Sequence, residues 1–272
     1  MKRSGIKPRL LDHLGDVGEL LRGQRFGLMA DLDGTLAEMV MRPDECRMSP
    51  RIQQALKRLS QVLPVVAVVT GRSARDALLM AGVREITYIG NHGMERIEKG
   101  ERHIAEAFSI YAPELREATG ILRHLLKAPG IWLEDKDISI SLHYRLVEDK
   151  ERAHQEILKS IAALPNRDKF RVIEGKMVVN LVPLVGSSKG SAIKNLVKRY
   201  DLTGAMFLGD DFTDLDGFNA IRELFRDECV NGVNVAVLGV DPNPHVQDEA
   251  DYVADSVDDV EQFLVWLTSY AT

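Results

Sequence analysis

The chain has 272 residues, with 35 Lys and Arg against 41 Asp and Glu, a net charge of −6, and 45% hydrophobic residues. These fractions exclude a disordered or fibrous protein, and the acidic balance argues against the basic face that nucleic-acid binding needs. The length exceeds the ~100–150 residues of an ordinary domain, so either two units or one enlarged unit is expected.

Taken in chain order, short apolar runs alternate with amphipathic stretches. Phe26 to Ala30 reads as a buried strand ending at Asp31. Ser49-Pro50 is a cap followed by a first-turn proline, and Ile52, Ala55, Leu56 and Leu59 then recur at helical spacing. Val65 to Val69 is a second strand, closed by Thr70-Gly71-Arg72, and Ser73 starts a helix carrying Ala77, Leu78 and Ala81. Ile86 to Ile89 is a third strand, ending at Gly90-Asn91-His92-Gly93. Near-continuous Val/Ile/Leu strands separated by helices are the signature of a parallel sheet covered on both faces.

The rhythm changes after residue 101. Ile121, Leu122, Leu125 and Leu126 mark a helix, and Ile138, Ile140, Leu142 and Tyr144 alternate as in a strand with one wet face. A helix follows over Ile157 to Leu164, then strands at Phe170–Val172 and Met177–Val182. After Pro183 the first rhythm returns: a helix from Ser191 to Tyr200, a strand Ala205–Leu208, a strand Val233–Leu238, and a last helix bearing Val257, Val260, Leu264 and Leu267. The expected architecture is α/β: a Rossmann-like parallel-sheet core over residues 1–101 and 184–272, interrupted by an inserted α+β cap over 102–183.

The chemistry gathers at strand ends, where open α/β sheets bind ligands. Asp31-Leu32-Asp33-Gly34-Thr35 follows the first strand. Two carboxylates so spaced divide labour: one attacks phosphorus, and the other protonates the leaving oxygen and then deprotonates water. The Thr70 hydroxyl and the amides opening the next helix suit phosphoryl oxygens. Lys189, in Ser187-Ser188-Lys189-Gly190, is placed to neutralise Asp31 and the transferring group, although a solvated lysine after a helix cap has the same local sequence. Gly209-Asp210-Asp211-Phe212-Thr213-Asp214 sets consecutive carboxylates at another strand end. With Asp31 and Asp33 they make a hard, oxygen-rich site that suits Mg²⁺.

These motifs, in this order, resemble the four of the haloacid dehalogenase superfamily. More narrowly, the chain resembles the trehalose-6-phosphate phosphatase family. It shares Thr70-Gly71-Arg72, Gly90-Asn91-His92-Gly93-x-Glu95, Glu134-x-Lys136, His143-Tyr144-Arg145, Gly175-Lys176 and Gly209-Asp210-Asp211-x-Thr213-Asp214-x-Asp216. The resemblance implies a hydrolase core with an inserted cap, Asp31 as nucleophile and Asp33 as acid and base. It implies Mg²⁺ on Asp31, the Asp33 carbonyl and Asp210, with Thr70 and Lys189 gripping phosphate. By the same resemblance Arg72, His92, Glu134, Lys136, Arg145 and Lys176 face the sugar. Read as residues alone, Glu134 to Asp137 equally fit a solvated hairpin turn, and His143 and Arg145 the wet face of a strand. The chain departs from the family at Asn180, where a glutamate that contacts the disaccharide is usual.

The expected reaction is therefore hydrolysis of trehalose 6-phosphate. The alternatives are another glycosyl phosphate (sucrose 6-phosphate, glucosyl- or mannosyl-3-phosphoglycerate), a phosphotransferase or mutase, or a phospho-receiver module. Asp33 and the inserted cap weigh against a receiver, and only a short flap, Ala37 to Met48, stands where mutases carry a helical cap. The expected partner is a small sugar phosphate, and the protein is expected to be a monomer or weak oligomer. Cys46 and Cys229 lie in no CxxC or Cys/His cluster, and the charged, polar start of the chain resembles no secretory signal, so a cytoplasmic location is expected. No run reaches ~18 uninterrupted apolar residues, which excludes a membrane helix.

Overall fold

The runs Phe26–Ala30 (β1) and Val65–Val69 (β2) contain no polar side chain and are buried at every position, as strands covered on both faces must be. The computed structural model describes residues 7–40, 45–104, 108, 110–184 and 187–271. The flap expected over Ala37 to Met48 lies partly outside the described residues. The chain divides into two units. Unit 1 comprises Met1–His103 and Ser187–Thr272, and unit 2 comprises Ile104–Gly186.

Further strands are β3 (Thr87–Gly90), β4 (Glu95–Glu98) and β5 (Glu101–Ile104), then β6 (Trp132–Asp135), β7 (Ile140–His143), β8 (Phe170–Gly175) and β9 (Val178–Pro183) in unit 2. Back in unit 1 the chain adds β10 (Gly204–Gly209), β11 (Asn231–Val237) and β12 (Tyr252–Ala254). Helices in chain order are α1 (Leu14–Leu21), α2 (Pro50–Val62), α3 (Ala74–Ala81), α4 (Ala112–Leu125), α5 (Lys150–Ala162), α6 (Lys189–Arg199), α7 (Leu215–Arg226), α8 (Pro244–Glu249) and α9 (Val257–Tyr270).

The sheet of unit 1 runs β12-β11-β10-β1-β2-β3-β4-β5, parallel from β12 to β3, with β4 antiparallel to β3. Successive side chains of each central strand feed opposite cores. Leu28, Ala30, Val66, Val68, Met206 and Leu208 pack with α1, α2, α3 and α9. Met29, Val65, Ala67, Val69, Ala205 and Phe207 pack with α6, α7 and α8. That alternation explains the unbroken apolar strands.

Local chemistry sets where the helices begin. The Ser49 hydroxyl accepts from the Ile52 amide at 3.1 Å, with Pro50 in the first turn. Ser188 and Ser191 form a reciprocal capping box that starts α6 at Lys189.

Unit 2 has an antiparallel sheet in the order β6-β7-β9-β8. One face, with Ile140, Leu142, Val179 and Leu181, packs on Leu115, Ala118 and Leu122 of α4 and Ala153, Ile157 and Ile161 of α5. The opposite face carries Trp132, Glu134, Ser141, His143 and Asn180, related by cross-strand register and by the two-residue period of a strand. The stretch Glu134 to Asp137 is half strand and half turn: β6 ends at Asp135, and Asp137 turns with φ 67°.

Candidate active site

The parallel register brings the ends of β1, β2 and β10 level. The Asp31 amide continues the ladder by donating to Leu208 O (2.9 Å), and the Thr70 amide donates to Ile89 O (2.9 Å). The chain must then leave β1 sharply. Gly34 has φ 80°, and a Cβ there would sit 2.3 Å from an Asp210 carboxylate oxygen, so only glycine fits.

At this edge the side chains of Asp31, Lys189, Asp210 and Asp214 are buried together. Lys189 Nζ donates to Asp214 Oδ1 (2.7 Å) and lies 3.1 Å from Asp31 Oδ1 in an ion pair. The other oxygen of Asp214 accepts from the amides of Asp210 and Asp211, both at 3.1 Å. Thr35 Oγ1 donates to Asp210 Oδ1 at 3.4 Å. Burial disfavours the charged form of Lys189, but Asp214 and Asp31 outweigh it and hold the ammonium protonated. Asp31 is pushed well up, first by burial and then by Asp214, Asp210 and Asp33, against the pull of Lys189.

One oxygen each of Asp31, Asp210 and Asp214 lies within 4.8 Å of the others. Three buried carboxylates share one ammonium, which leaves uncompensated negative charge, and the buried Asp31 Oδ1 meets Lys189 as an ion pair. An all-oxygen set that carries more negative charge than one ammonium balances fits a hard divalent cation. Both Asp214 oxygens already accept hydrogen bonds, so Asp31 and Asp210 are the carboxylates best placed to bind one.

Asp33 stands apart from that cluster. Both its oxygens accept from Arg72, Nε and Nη2 each at 2.6 Å, a bidentate fork. Burial alone would raise its pKa, but the hydrogen bonds and charge of Arg72, aided by Cys46 and Lys189, hold it below the ordinary carboxylate range. Arg72, expected toward the sugar, thus grips the second carboxylate. The buried Cys46 thiol beside Asp33 is pushed up to about 12 by burial and by that charge. Thr70 Oγ1 accepts from the Arg72 amide (3.2 Å), and the His92 amide donates to Thr70 O (3.0 Å).

The remaining expected residues lie in unit 2, in two groups. Glu134 Oε2 meets His143 Nε2 at 2.9 Å and Lys136 Nζ at 3.6 Å, and the His143 ring stacks on Trp132 with centroids 4.8 Å apart. Asn180 Oδ1 accepts from Ser141 Oγ (2.6 Å), and its Nδ2 donates to Ile173 O (3.3 Å). Arg145 Nη2 donates to Lys176 O (3.2 Å). Sequence reasoning did not single out Ser141 or Trp132. Their signal was available, since both fall on the even-spaced face that carries Glu134 and His143.

The family model of the trehalose-phosphatases matches residues 29–258. The chain belongs to this family. Among curated relatives, the trehalose-phosphate phosphatase of Mycobacterium leprae is 29% identical over 96% of this chain and 65% of its own length. That of Mycolicibacterium paratuberculosis is 33% identical over 79% of this chain and 58% of its own. Trehalose-phosphate phosphatase B of Arabidopsis thaliana is 28% identical over 79% and 61%. The chain therefore spans roughly three fifths of the length of these relatives. Among solved structures, the C-terminal domain of the C. albicans trehalose-6-phosphate phosphatase superposes with a TM-score of 0.82 at 20% identity, over 98% of this chain and 99% of that one. A haloacid dehalogenase-like hydrolase from Bacteroides thetaiotaomicron gives 0.62 at 17% identity, over 89% and 98%. These likenesses establish the haloacid dehalogenase-like fold. No helix of the described residues is long and apolar enough to cross a membrane.

Proposed function

We propose that the chain is a phosphoric monoester hydrolase that releases phosphate from trehalose 6-phosphate. The buried set of Asp31, Lys189 and Asp210 at the ends of parallel strands, in a chain of this family, carries the reading. Asp31 attacks phosphorus, forming an aspartyl phosphate as the bond from phosphorus to the sugar oxygen breaks, and Asp33 gives its proton to that oxygen. Asp33 then takes a proton from water, the new hydroxide attacks phosphorus, and the acyl phosphate opens to phosphate and the Asp31 carboxylate.

Lys189 neutralises Asp31 and the phosphoryl oxygens, and Thr70 donates to the same group. Arg72 holds Asp33 ionised, which favours the second half of the cycle. Transfer of that fork to the incoming phosphoryl group frees Asp33 to carry the proton needed first. Asp31, Asp210 and the carbonyl of Asp33 would hold Mg²⁺, which when bound would supply charge neutralisation at the phosphoryl group. Unit 2 is the specificity cap. Its face of Glu134, Lys136, His143 and Asn180, with Arg145 and Lys176, offers the mixed donors and acceptors that sugar hydroxyls require. The two free cysteines suit a reducing compartment, the cytoplasm.

Phosphate release from a panel tests this: trehalose 6-phosphate, sucrose 6-phosphate, glucosyl- and mannosyl-3-phosphoglycerate and glucose 6-phosphate, with Mg²⁺ present. Trehalose 6-phosphate is expected to show the highest kcat/KM. Turnover of none of the five would overturn the reading.

A further inference from the structure

Glu95 is a buried carboxylate that the proposed chemistry does not use. Its side chain is 0% exposed, although it lies on β4 near the sheet edge. Oε1 accepts from the Ala74 amide (2.8 Å) and from Asn91 Nδ2 (2.7 Å). Oε2 accepts from Arg102 Nε (2.7 Å), and the Arg102 Nη2 lies equally close.

Two of these partners, Ala74 and Asn91, lead to the turn after β2. Ala74 opens α3 two residues beyond Arg72, so the first bond fixes the chain just after the turn. Asn91 and His92 both adopt left-handed backbone, φ 50° and 55°, which L residues rarely hold unless the surroundings enforce it. Their amides donate back to Arg72 O (2.7 Å) and Thr70 O (3.0 Å). There is no slack between these segments, since a Cβ on Gly90 would lie 2.2 Å from the Ala74 nitrogen. A single carboxylate therefore holds Thr70-Gly71-Arg72 from both sides, and Arg72 carries that placement to Asp33.

We propose that Glu95 is a positioning residue for phosphoryl transfer. Through Ala74 and Asn91 it fixes the Thr70 to Arg72 turn and the fork on Asp33, and Arg102 orients Glu95. The inference rests on the function proposed above. Arg102 is 40% exposed and stands two residues before unit 2 begins, so it offers a handle that substitution can remove without opening a core.

The test measures kcat and KM for Glu95→Gln, Asn91→Gly, Arg102→Met and Arg102→Lys, on trehalose 6-phosphate and on p-nitrophenyl phosphate. Asn91→Gly retains the left-handed backbone and deletes one bond, so it and the Arg102 variants report even where Glu95→Gln fails to fold. Shifts in a group that orients a site residue cost about 10–100-fold in activity, and a 1 Å misplacement about 100-fold. The expected result is a loss of kcat by about tenfold or more, by the same factor on both substrates, because both present the same phosphoryl group. KM for trehalose 6-phosphate should change less than about threefold. Arg102→Lys should recover part of what Arg102→Met loses. Folded variants with kcat within twofold of the parent would overturn the proposal. If the parent turns over neither substrate, the function reading fails instead. Tungstate binding then decides Glu95: a Kd raised about tenfold in the variants supports it, and an unchanged Kd overturns it.

Discussion

At the scale of single residues, Asp31 carries the sharpest expectation, because its chemistry and its stability effect run in opposite directions. Asp31→Asn removes the proposed nucleophile, and turnover should fall by more than about 1000-fold, as knockouts of nucleophiles do. The fold should not suffer. The pKa of Asp31 is raised in the folded chain, by burial first and by Asp214, Asp210 and Asp33 after it. Stability linked to this group is thus present while it is protonated and is lost as pH rises through the raised value. At neutral pH and without divalent cation, Asp31→Asn relieves that cost and should raise Tm by about 2 °C or more, measured by thermal melting in EDTA. A variant that loses activity and also melts below the parent would show that Asp31 holds the fold rather than the reaction. Asn180 is the contrasting case. Its amide oxygen accepts from Ser141 and its nitrogen donates to Ile173 O, so both ends are tied within the sheet. Asn180→Glu keeps an acceptor for Ser141, loses the bond to Ile173 O, and adds a carboxylate to the face of Glu134. We expect a higher preference for trehalose 6-phosphate over sucrose 6-phosphate, read as the ratio of their kcat/KM values. An unchanged ratio would remove this position from sugar recognition.

At the scale of elements, β4 and the end of α6 are joined by a network that answers to pH. Burial pushes the Glu98 carboxyl up, but hydrogen bonds from Tyr200 and Arg199 and the charges of Arg199 and Arg96 outweigh it and hold it below the ordinary value. A depressed folded pKa stabilises above the unfolded value, and that contribution disappears as pH falls through the folded one. Glu98→Gln should therefore cost about 1 kcal/mol at pH 7, with the gap from the parent closing below about pH 4 in urea melts. A constant gap across that range would show that packing, and not charge, is at stake. The same edge marks the limit of what periodicity revealed. β1 and β2 were legible to the residue, because strands buried on both faces have one composition throughout. The starts of α2 and α3 were legible from Ser49 and Ser73, whose hydroxyls cap them. β4, β5 and β6 were not legible, since Glu95–Glu98, Glu101–Ile104 and Trp132–Asp135 mix charged with apolar residues and owe their pairing to neighbours distant in sequence. α7 was not legible either, although its apolar positions have helical spacing, because no side-chain cap marks its start after Asp214. Within the site, motif order located Asp31, Thr70, Lys189 and Asp210. No local pattern could show that Arg72 forks onto Asp33, or that Glu95 reaches back to Ala74, because those contacts exist only once β1, β2, β3 and β4 lie side by side.

At the scale of the whole molecule, each unit has its own core, and the acidic cluster belongs wholly to unit 1. A cation bound there stabilises unit 1 by mass action, about 2.7 kcal/mol at a hundred times Kd. At about 2–4 °C per kcal/mol, the unit 1 transition should move up by roughly 5–10 °C between EDTA and saturating Mg²⁺. Unit 2 has no part in the cluster, so its own transition should stay in place. Leu142→Ala separates the two effects. Leu142 is fully buried between the sheet and helices of unit 2, and its truncation should cost about 2–5 kcal/mol there. In scanning calorimetry this variant should melt unit 2 earlier while unit 1 keeps its full response to Mg²⁺, and Asp210→Asn should abolish that response without moving the unit 2 transition. Equal shifts of both transitions with Mg²⁺ would mean that the cation acts elsewhere than on Asp31 and Asp210. A response that survives Asp210→Asn would count against the same assignment, since Asp31 would then be the one carboxylate left to hold the cation and could not offset the cost of drawing it out of water.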